Sequence, residues 1–225
     1  MSATIIDYFF WASSDWTYLG HRRLLDIAAQ CGAGIRYRPV RMMPLLNATG
    51  GIPLGERSQA RKNWRKTELS RWTSRLNMPI NMAPDYFPVD NENALRLMVG
   101  ADMAGDDIGT LVEAIMAALW VENRDISDVF TLTEVAGNCG IPNEVARRYM
   151  TCEKADAILT ANTDAAIAAG VFGAPSYVVN GEVFWGQDRL GQLTETLMGK
   201  GHAAGAWFGK LTGIFTAELA GVEME

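Results

Sequence analysis

The chain has 225 residues, 48% of them hydrophobic, and a formal net charge of -6. This length and composition provide a sizeable core in one large domain or two closely packed ones. The acidic balance argues against general nucleic-acid binding and favours a neutral or polar small-molecule partner.

The first strand–helix–strand unit is predicted from the N-terminal residues. Residues 3–11 (ATIIDYFFW) are β-branched and aromatic, which is typical of a buried strand. Ser and Asp residues then open a helix over residues 16–29, and residues 35–40 (IRYRPV) form a second strand. The two strands of such a unit are expected to be parallel.

The middle of the chain is predicted to be helical, with two irregular stretches. Residues 44–55 are rich in Gly, Asn and Pro and are predicted to form a loop, and residues 79–88 are also irregular. The predicted helices cover residues 56–76, 91–104, 107–122, 132–139, 142–152 and 153–169.

Strand signals return near the C-terminus. Residues 176–180 and 182–185 are predicted to pair across a turn at Asn180-Gly181, and a helix follows over residues 188–199. The pattern is a small mixed sheet with helices inserted between its halves. We assign residues 1–42 and 171–200 to the sheet domain, 43–170 to an inserted helical domain and 201–225 to a C-terminal helical tail.

The N-terminal sequence and the spacing of the cysteines favour a cytoplasmic protein. The N-terminus does not resemble a signal peptide, and no window approaches the roughly 18 apolar residues that span a bilayer. Cys31, Cys139 and Cys152 are widely spaced, so we expect neither a disulfide framework nor a metal site. The apolar spacing of the tail predicts packing against the body or a second subunit, so a homodimer is possible.

Ser14 is the first candidate for chemistry, because it lies where the first helix begins. Helix N-termini favour anions, and thiol enzymes place a reactive cysteine there. His21 is about 10 Å further along the helix axis, too far to act as its base. We interpret Ser14 as a hydrogen-bond donor to another molecule's thiolate. A plain N-cap is the alternative, and Ser13 competes for the role.

Two C-terminal segments carry further candidates. Pro175 precedes a strand and is a candidate cis-proline, which would expose the backbone of Ala174 to a peptide-like ligand. The local sequence by itself favours an ordinary trans proline. Asp188 suits a ligand ammonium group and Arg189 a carboxylate. A capped helix start explains these two residues equally well.

Together, the segments SSDWTYLG, YRPV and GVFGAPSYVVNGEVFWGQDRL resemble the 2-hydroxychromene-2-carboxylate isomerases, relatives of kappa-class glutathione transferases and DsbA. The resemblance covers residues 4–198. It implies an α/β thioredoxin-like fold (βαβ…ββα) with an inserted all-helical domain, and glutathione as the cofactor. It also implies that Ser14 faces the glutathione sulfur and that Asp188 and Arg189 hold the γ-glutamyl end. The family's cis-proline corresponds to Pro175, with Ala174 pairing its backbone with the glutathione cysteine.

Several positions depart from the family pattern. Trp11 stands where the family often has an acidic residue, Asp15 replaces the proline after the serine, and Gly51 replaces an asparagine. An acid at position 15 would oppose thiolate formation. The basic and tyrosine positions of the following helix correspond to Arg61 and Trp64, which makes Arg61 a candidate glutathione contact.

The helix over residues 56–76 is strongly basic. Arg57, Arg61 and Arg65 share one face, which we interpret as solvated, with a carboxylate-binding edge as the alternative. Trp64 and Trp72 are predicted to be core residues.

Four aromatic residues are candidates for lining a substrate pocket: Trp11, Trp64, Tyr86 and Phe87.

The resemblance, together with these residues, implies a glutathione-dependent isomerase of an aromatic or unsaturated carbonyl compound, acting in aromatic-compound catabolism. Glutathione thiolate, held by Ser14, would add reversibly to the substrate. A kappa-like glutathione transferase is one alternative, and a catalytically silent thioredoxin-fold binding protein is another.

Overall fold

In the computed structural model, which describes residues 3–199, four strands form one mixed sheet. They are β1 (Ile5–Phe10), β2 (Gly34–Pro39), β3 (Ser176–Val179) and β4 (Glu182–Trp185). The order across the sheet is β2-β1-β3-β4. Strands β1 and β2 are parallel, whereas β3 is antiparallel to both β1 and β4. The predicted strand pattern is confirmed.

Nine α-helices complete the part of the chain that the structure describes. They are α1 (Asp15–Cys31), α2 (Met42–Thr49), α3 (Gln59–Leu76), α4 (Glu92–Ala104), α5 (Ile108–Trp120), α6 (Val129–Asn138), α7 (Asn143–Met150), α8 (Glu153–Ala168) and α9 (Leu190–Leu197). Helix α1 joins β1 to β2, α2 to α8 lie between β2 and β3, and α9 follows β4. The predicted tail helix lies outside the described residues.

The predicted loop over residues 44–55 is wrong, because α2 occupies its first half. Pro44 stands in the first turn of this helix, where a missing N–H breaks no intrahelical hydrogen bond. Leu45 and Leu46 are buried, so their packing outweighs the loop-forming composition. Gly50 ends the helix in the left-handed conformation, with a φ of 74°.

Three helix starts also differ from the prediction. Helix α3 begins at Gln59, because Ser58 caps it by accepting a hydrogen bond from the Arg61 N–H. Helix α6 begins at Val129, capped by Asp128. The last predicted helix opens with a 3₁₀ turn over Gln187–Arg189 before α9.

The larger of two hydrophobic clusters is shared by the sheet and the inserted helices. Tyr8 and Phe10 of β1 are fully buried in the same cluster as Leu95 of α4 and Leu111 and Ile115 of α5. The helices therefore cover the sheet directly, and burial of their apolar side chains stabilises both parts.

Helix α1 packs very closely against the residues that follow β4. A Cβ atom at Gly20 would lie 2.8 Å from the Cβ of Gln187 and 2.9 Å from the Tyr177 hydroxyl oxygen. Only glycine allows this approach. Arg23, one turn further on, donates hydrogen bonds to the Gln187 side-chain oxygen at 2.7 Å and to its carbonyl oxygen at 3.3 Å.

His21 is a buried polar residue within this packing. Its Nε2 lies 2.9 Å from the Gly109 carbonyl oxygen, and its Nδ1 lies 3.3 Å from the Tyr8 hydroxyl. A carbonyl oxygen only accepts, so Nε2 carries the proton and Nδ1 accepts from Tyr8. Burial lowers the pKa of His21, which keeps the ring neutral.

We expect this neutral histidine to make the protein less stable in mild acid. Below a pH of about 6.5 the unfolded state binds a proton that the folded state does not, so the free energy of unfolding falls by up to about 1.4 kcal/mol per pH unit. Urea denaturation from pH 7.5 to 5 would measure this slope. The slope should be smaller in His21→Gln, and equal slopes in the two proteins would contradict the assignment.

Candidate active site

The pairing of β1 with β3 brings together the main candidates from the two ends of the chain. Phe9 pairs with Ser176 at the end of the antiparallel ladder. The residues after Phe9 and those before Ser176 therefore lie at the same edge of the sheet. Trp11 follows β1 there, and its carbonyl oxygen accepts a hydrogen bond of 3.0 Å from the Ser14 N–H. Residues 174–175 lead into β3 at that edge.

Ser14 is the N-cap of α1. Its Oγ accepts a hydrogen bond of 3.2 Å from the Thr17 N–H, and the residue is only 6% exposed. A hydroxyl group has one donor position in addition to its acceptor positions. Within residues 3–199 the Ser14 O–H has no acceptor. The N-cap interpretation is therefore confirmed, and a hydrogen-bond donor is still available at the start of the helix.

Ser13 has a different role. It is fully buried, and its Oγ accepts a hydrogen bond of 2.9 Å from the side-chain amide of Asn91. Asn91 directly precedes α4. The Ser13 side chain therefore connects the start of α1 to the start of α4, and Ser14 is the serine at the helix N-terminus.

The peptide bond between Ala174 and Pro175 is cis, as the family resemblance implies and not trans as the local sequence alone favours. The Pro175 carbonyl oxygen accepts a hydrogen bond of 2.9 Å from the Gly186 N–H, and Ser176 Oγ donates to the Gly173 carbonyl oxygen. The backbone N–H and C=O of Ala174 form no hydrogen bond with any other described residue. Its peptide edge is therefore available to pair with an extended ligand.

Asp188 and Arg189 lie in the 3₁₀ turn that follows β4. Both side chains are exposed, with Arg189 Nη2 3.6 Å from Asp188 Oδ2. Neither side chain caps the 3₁₀ turn or α9, so a capped helix start does not explain them. The Gly186–Pro175 hydrogen bond holds this turn beside the cis-proline.

Asp15 forms a buried ion pair that the sequence did not reveal. The residue is 4% exposed, its Oδ1 accepts a hydrogen bond of 2.8 Å from the Trp16 N–H, and its Oδ2 pairs with the Arg65 guanidinium group. Burial raises the pKa of Asp15, and the positive charge of Arg65 opposes this shift.

The predicted solvated face of α3 is therefore wrong at Arg65. Its side chain is only 14% exposed, whereas Arg61 on the same face is exposed. Helical spacing showed that the arginines share a face, but the partner of Arg65 lies 50 residues away along the chain. Only packing of α3 against α1 brings the two charges together.

The two tryptophans of α3 differ from each other. The prediction that Trp64 is a core residue is wrong, because its side chain is 63% exposed. Trp72 is partly buried and packs against the core, with the Arg75 guanidinium carbon 5.3 Å from its ring centroid. No described side-chain contact brings Trp64 or the side chain of Arg61 to the start of α1.

The other three candidates for the substrate pocket differ in burial. Trp11 and Phe87 are partly buried and pack against the core. The Arg65 guanidinium carbon lies 5.9 Å from the Phe87 ring centroid, so the Asp15 ion pair links Phe87 to the start of α1. Tyr86 is exposed and has no such link among the described contacts.

Residues 3–199 contain no metal-binding group, disulfide or membrane-spanning helix. No group of three or more His, Cys, Asp and Glu side chains is arranged to hold a metal ion there. Cys31, Cys139 and Cys152 are free thiols. No described helix has the length and hydropathy needed to cross a bilayer.

A mixed sheet with helices between β2 and β3, and a cis-proline entering β3 opposite the start of α1, defines a thioredoxin-fold protein. The model of the DSBA-like thioredoxin domain matches residues 5–198. The chain belongs to this family.

Curated relatives extend the comparison over most of the chain. The chain is 27% identical over 201 residues to the 2-hydroxychromene-2-carboxylate isomerase of Pseudomonas putida, covering 87% of this chain and 95% of that relative. It is 26% identical over 194 residues to the isomerase of Sphingobium xenophagum, covering 86% and 97%.

Solved structures show the same likeness. A structure of 2-hydroxychromene-2-carboxylate isomerase is 26% identical, with a TM-score of 0.71, covering 87% of this chain and 95% of that one. A probable DsbA oxidoreductase from Streptomyces coelicolor has the same fold, with a TM-score of 0.71 at 18% identity, covering 88% and 91%.

The two adjacent serines should differ in their contribution to stability. Ser14→Ala removes a helix cap and should lower the free energy of unfolding by about 1 kcal/mol. Ser13→Ala leaves the buried amide of Asn91 without its acceptor and should cost about 1–3 kcal/mol. Urea denaturation of both variants measures the difference. A larger loss in Ser14→Ala than in Ser13→Ala would contradict these roles.

Proposed function

We propose that the protein is a glutathione-dependent isomerase of an aromatic or unsaturated carbonyl compound of the 2-hydroxychromene-2-carboxylate type. The name of its relatives supports the reaction class. The observation that carries the proposal is the Ser14 hydroxyl, which accepts from the Thr17 N–H and whose own proton has no acceptor among residues 3–199. This donor lies at a helix start, at the same edge of the sheet as the cis-proline.

The described residues fit glutathione in three respects. The N-terminus of α1, with Ser14, favours an anionic sulfur. The peptide edge of Ala174, which has no hydrogen-bond partner within residues 3–199, suits the backbone of a peptide-like thiol. The exposed carboxylate of Asp188 and guanidinium of Arg189 offer opposite charges, which suits the ammonium and carboxylate groups of a γ-glutamyl end.

Glutathione, when bound, supplies a thiolate that adds reversibly to a conjugated carbon and so allows rotation about a bond that was fixed. The protein's part is stabilisation and orientation. Ser14 donates its O–H toward the sulfur, and the positive end of the α1 dipole favours the negative charge there. Ala174 and Pro175 orient the peptide backbone. Trp11 and Phe87 offer apolar surface for an aromatic substrate.

Loss of the Ser14 hydroxyl should weaken thiolate stabilisation more than binding. In Ser14→Ala we expect the thiol pKa of bound glutathione to rise, so that the thiolate fraction at pH 7 falls about tenfold. The ultraviolet absorbance of the thiolate measures this fraction, and calorimetry measures affinity.

Ser58→Ala is the matched control, because it removes the cap of α3 by the same substitution. It should leave the thiolate signal unchanged. Equal thiolate signals in wild type and Ser14→Ala would contradict the role of Ser14.

The fate of glutathione separates the proposal from its alternatives. With 2-hydroxychromene-2-carboxylate as the probe, a small catalytic amount of glutathione should support complete conversion, because the thiol is released in each cycle. Consumption of one glutathione per product would indicate a kappa-like transferase. No calorimetric signal with millimolar glutathione would indicate a binding protein without this chemistry.

A further inference from the structure

The ion pair between Asp15 and Arg65 joins the start of α1 to the middle of α3. Asp15 directly follows Ser14, and one of its oxygens is held by the Trp16 N–H while the other pairs with Arg65. Both side chains are largely buried, at 6% and 14% exposure. Arg57 adds a second positive charge that acts on Asp15, and its Nε donates a hydrogen bond to the Ile52 carbonyl oxygen.

Stability alone does not account for this pair. Removing two charges from water is unfavourable, and apolar side chains of similar size often stabilise a protein as well or better. The position of the pair has an electrostatic consequence instead. An unpaired carboxylate next to Ser14 would oppose an anion at the helix N-terminus. Arg65 cancels that charge.

The Asp15 carboxylate in turn limits the effect of the nearby arginines. Without Asp15, the charges of Arg65 and Arg57 and the helix N-terminus would all favour the thiolate at Ser14. A thiol made strongly acidic in this way is a weaker nucleophile, because nucleophilicity falls with thiol pKa. In the turn that hydrogen-bonds to Pro175 through Gly186, Asp188 and Arg189 are one acid and one base and contribute no net charge.

We propose that Asp15, held in place by Arg65, sets the acidity of the thiol that binds at Ser14. The carboxylate offsets the arginine charge and keeps the bound thiol from becoming too acidic. Asp15 is a positioning residue, because it does not contact the thiol and acts through the electrostatic potential at Ser14. This inference rests on the proposed binding of glutathione.

Variants that remove one or both charges of the ion pair test the inference, with glutathione as the probe. Asp15→Asn keeps the acceptor for the Trp16 N–H but removes the negative charge. We expect it to lower the thiol pKa of bound glutathione, raising the thiolate-to-thiol ratio at a fixed pH about tenfold. The double variant Asp15→Asn/Arg65→Met removes both charges and should return the ratio close to that of wild type. Ultraviolet titration of the thiolate provides both values.

Arg71→Met is the matched control for the loss of an arginine from α3. Arg71 is exposed and pairs with Glu68 on its own helix, so the thiol pKa should not change. Circular dichroism melting confirms that each variant is folded. The double variant leaves no buried charge unpaired, so it provides a second reading if Asp15→Asn is unstable.

The outcomes separate the inference from the proposed function. No binding of glutathione to the wild type would overturn both. Binding with an unchanged or higher thiol pKa in Asp15→Asn would overturn only the role of Asp15. So would a double variant whose thiol is about tenfold more ionised than that of wild type.

Discussion

The antiparallel pairing of β1 with β3 is the constraint on which the site depends. It joins strands from opposite ends of the described chain, with Phe9 opposite Ser176. Because β1 runs into α1 and β3 starts from the cis-proline, this one register places Ser14 and the peptide edge of Ala174 at the same edge of the sheet. The inserted helices cover the sheet and share its core, so they hold this register in place.

Close packing of α1 positions the rest of the site. The absence of a side chain at Gly20 lets Gln187 approach the helix, and Arg23 anchors Gln187 there through two hydrogen bonds. The exposed charges of Asp188 and Arg189 therefore project from a turn whose backbone is fixed. Charged groups that bind a small ligand work best when the elements that carry them are rigid.

The start of α1 combines a favourable and an unfavourable charge effect. The helix N-terminus and the Ser14 hydroxyl favour an anion, whereas the adjacent Asp15 carboxylate opposes one. The structure resolves this conflict with Arg65, which reaches from α3 to pair with Asp15. Helix α3 is therefore more than a solvated basic surface, because one of its arginines is part of the electrostatic environment of Ser14.

The sequence by itself determined the order of the strands, most of the helices and the position of Ser14 at a helix N-terminus, because periodicity and capping are local. The cis-proline was implied only by the resemblance to a family, since the local sequence favours a trans proline. Tertiary packing decided the rest. It turned residues 42–49 into a helix through burial of Leu45 and Leu46, left Trp64 exposed and paired Asp15 with Arg65. Helical spacing shows which residues share a face, but only the packed neighbour determines whether that face meets water, core or an opposite charge.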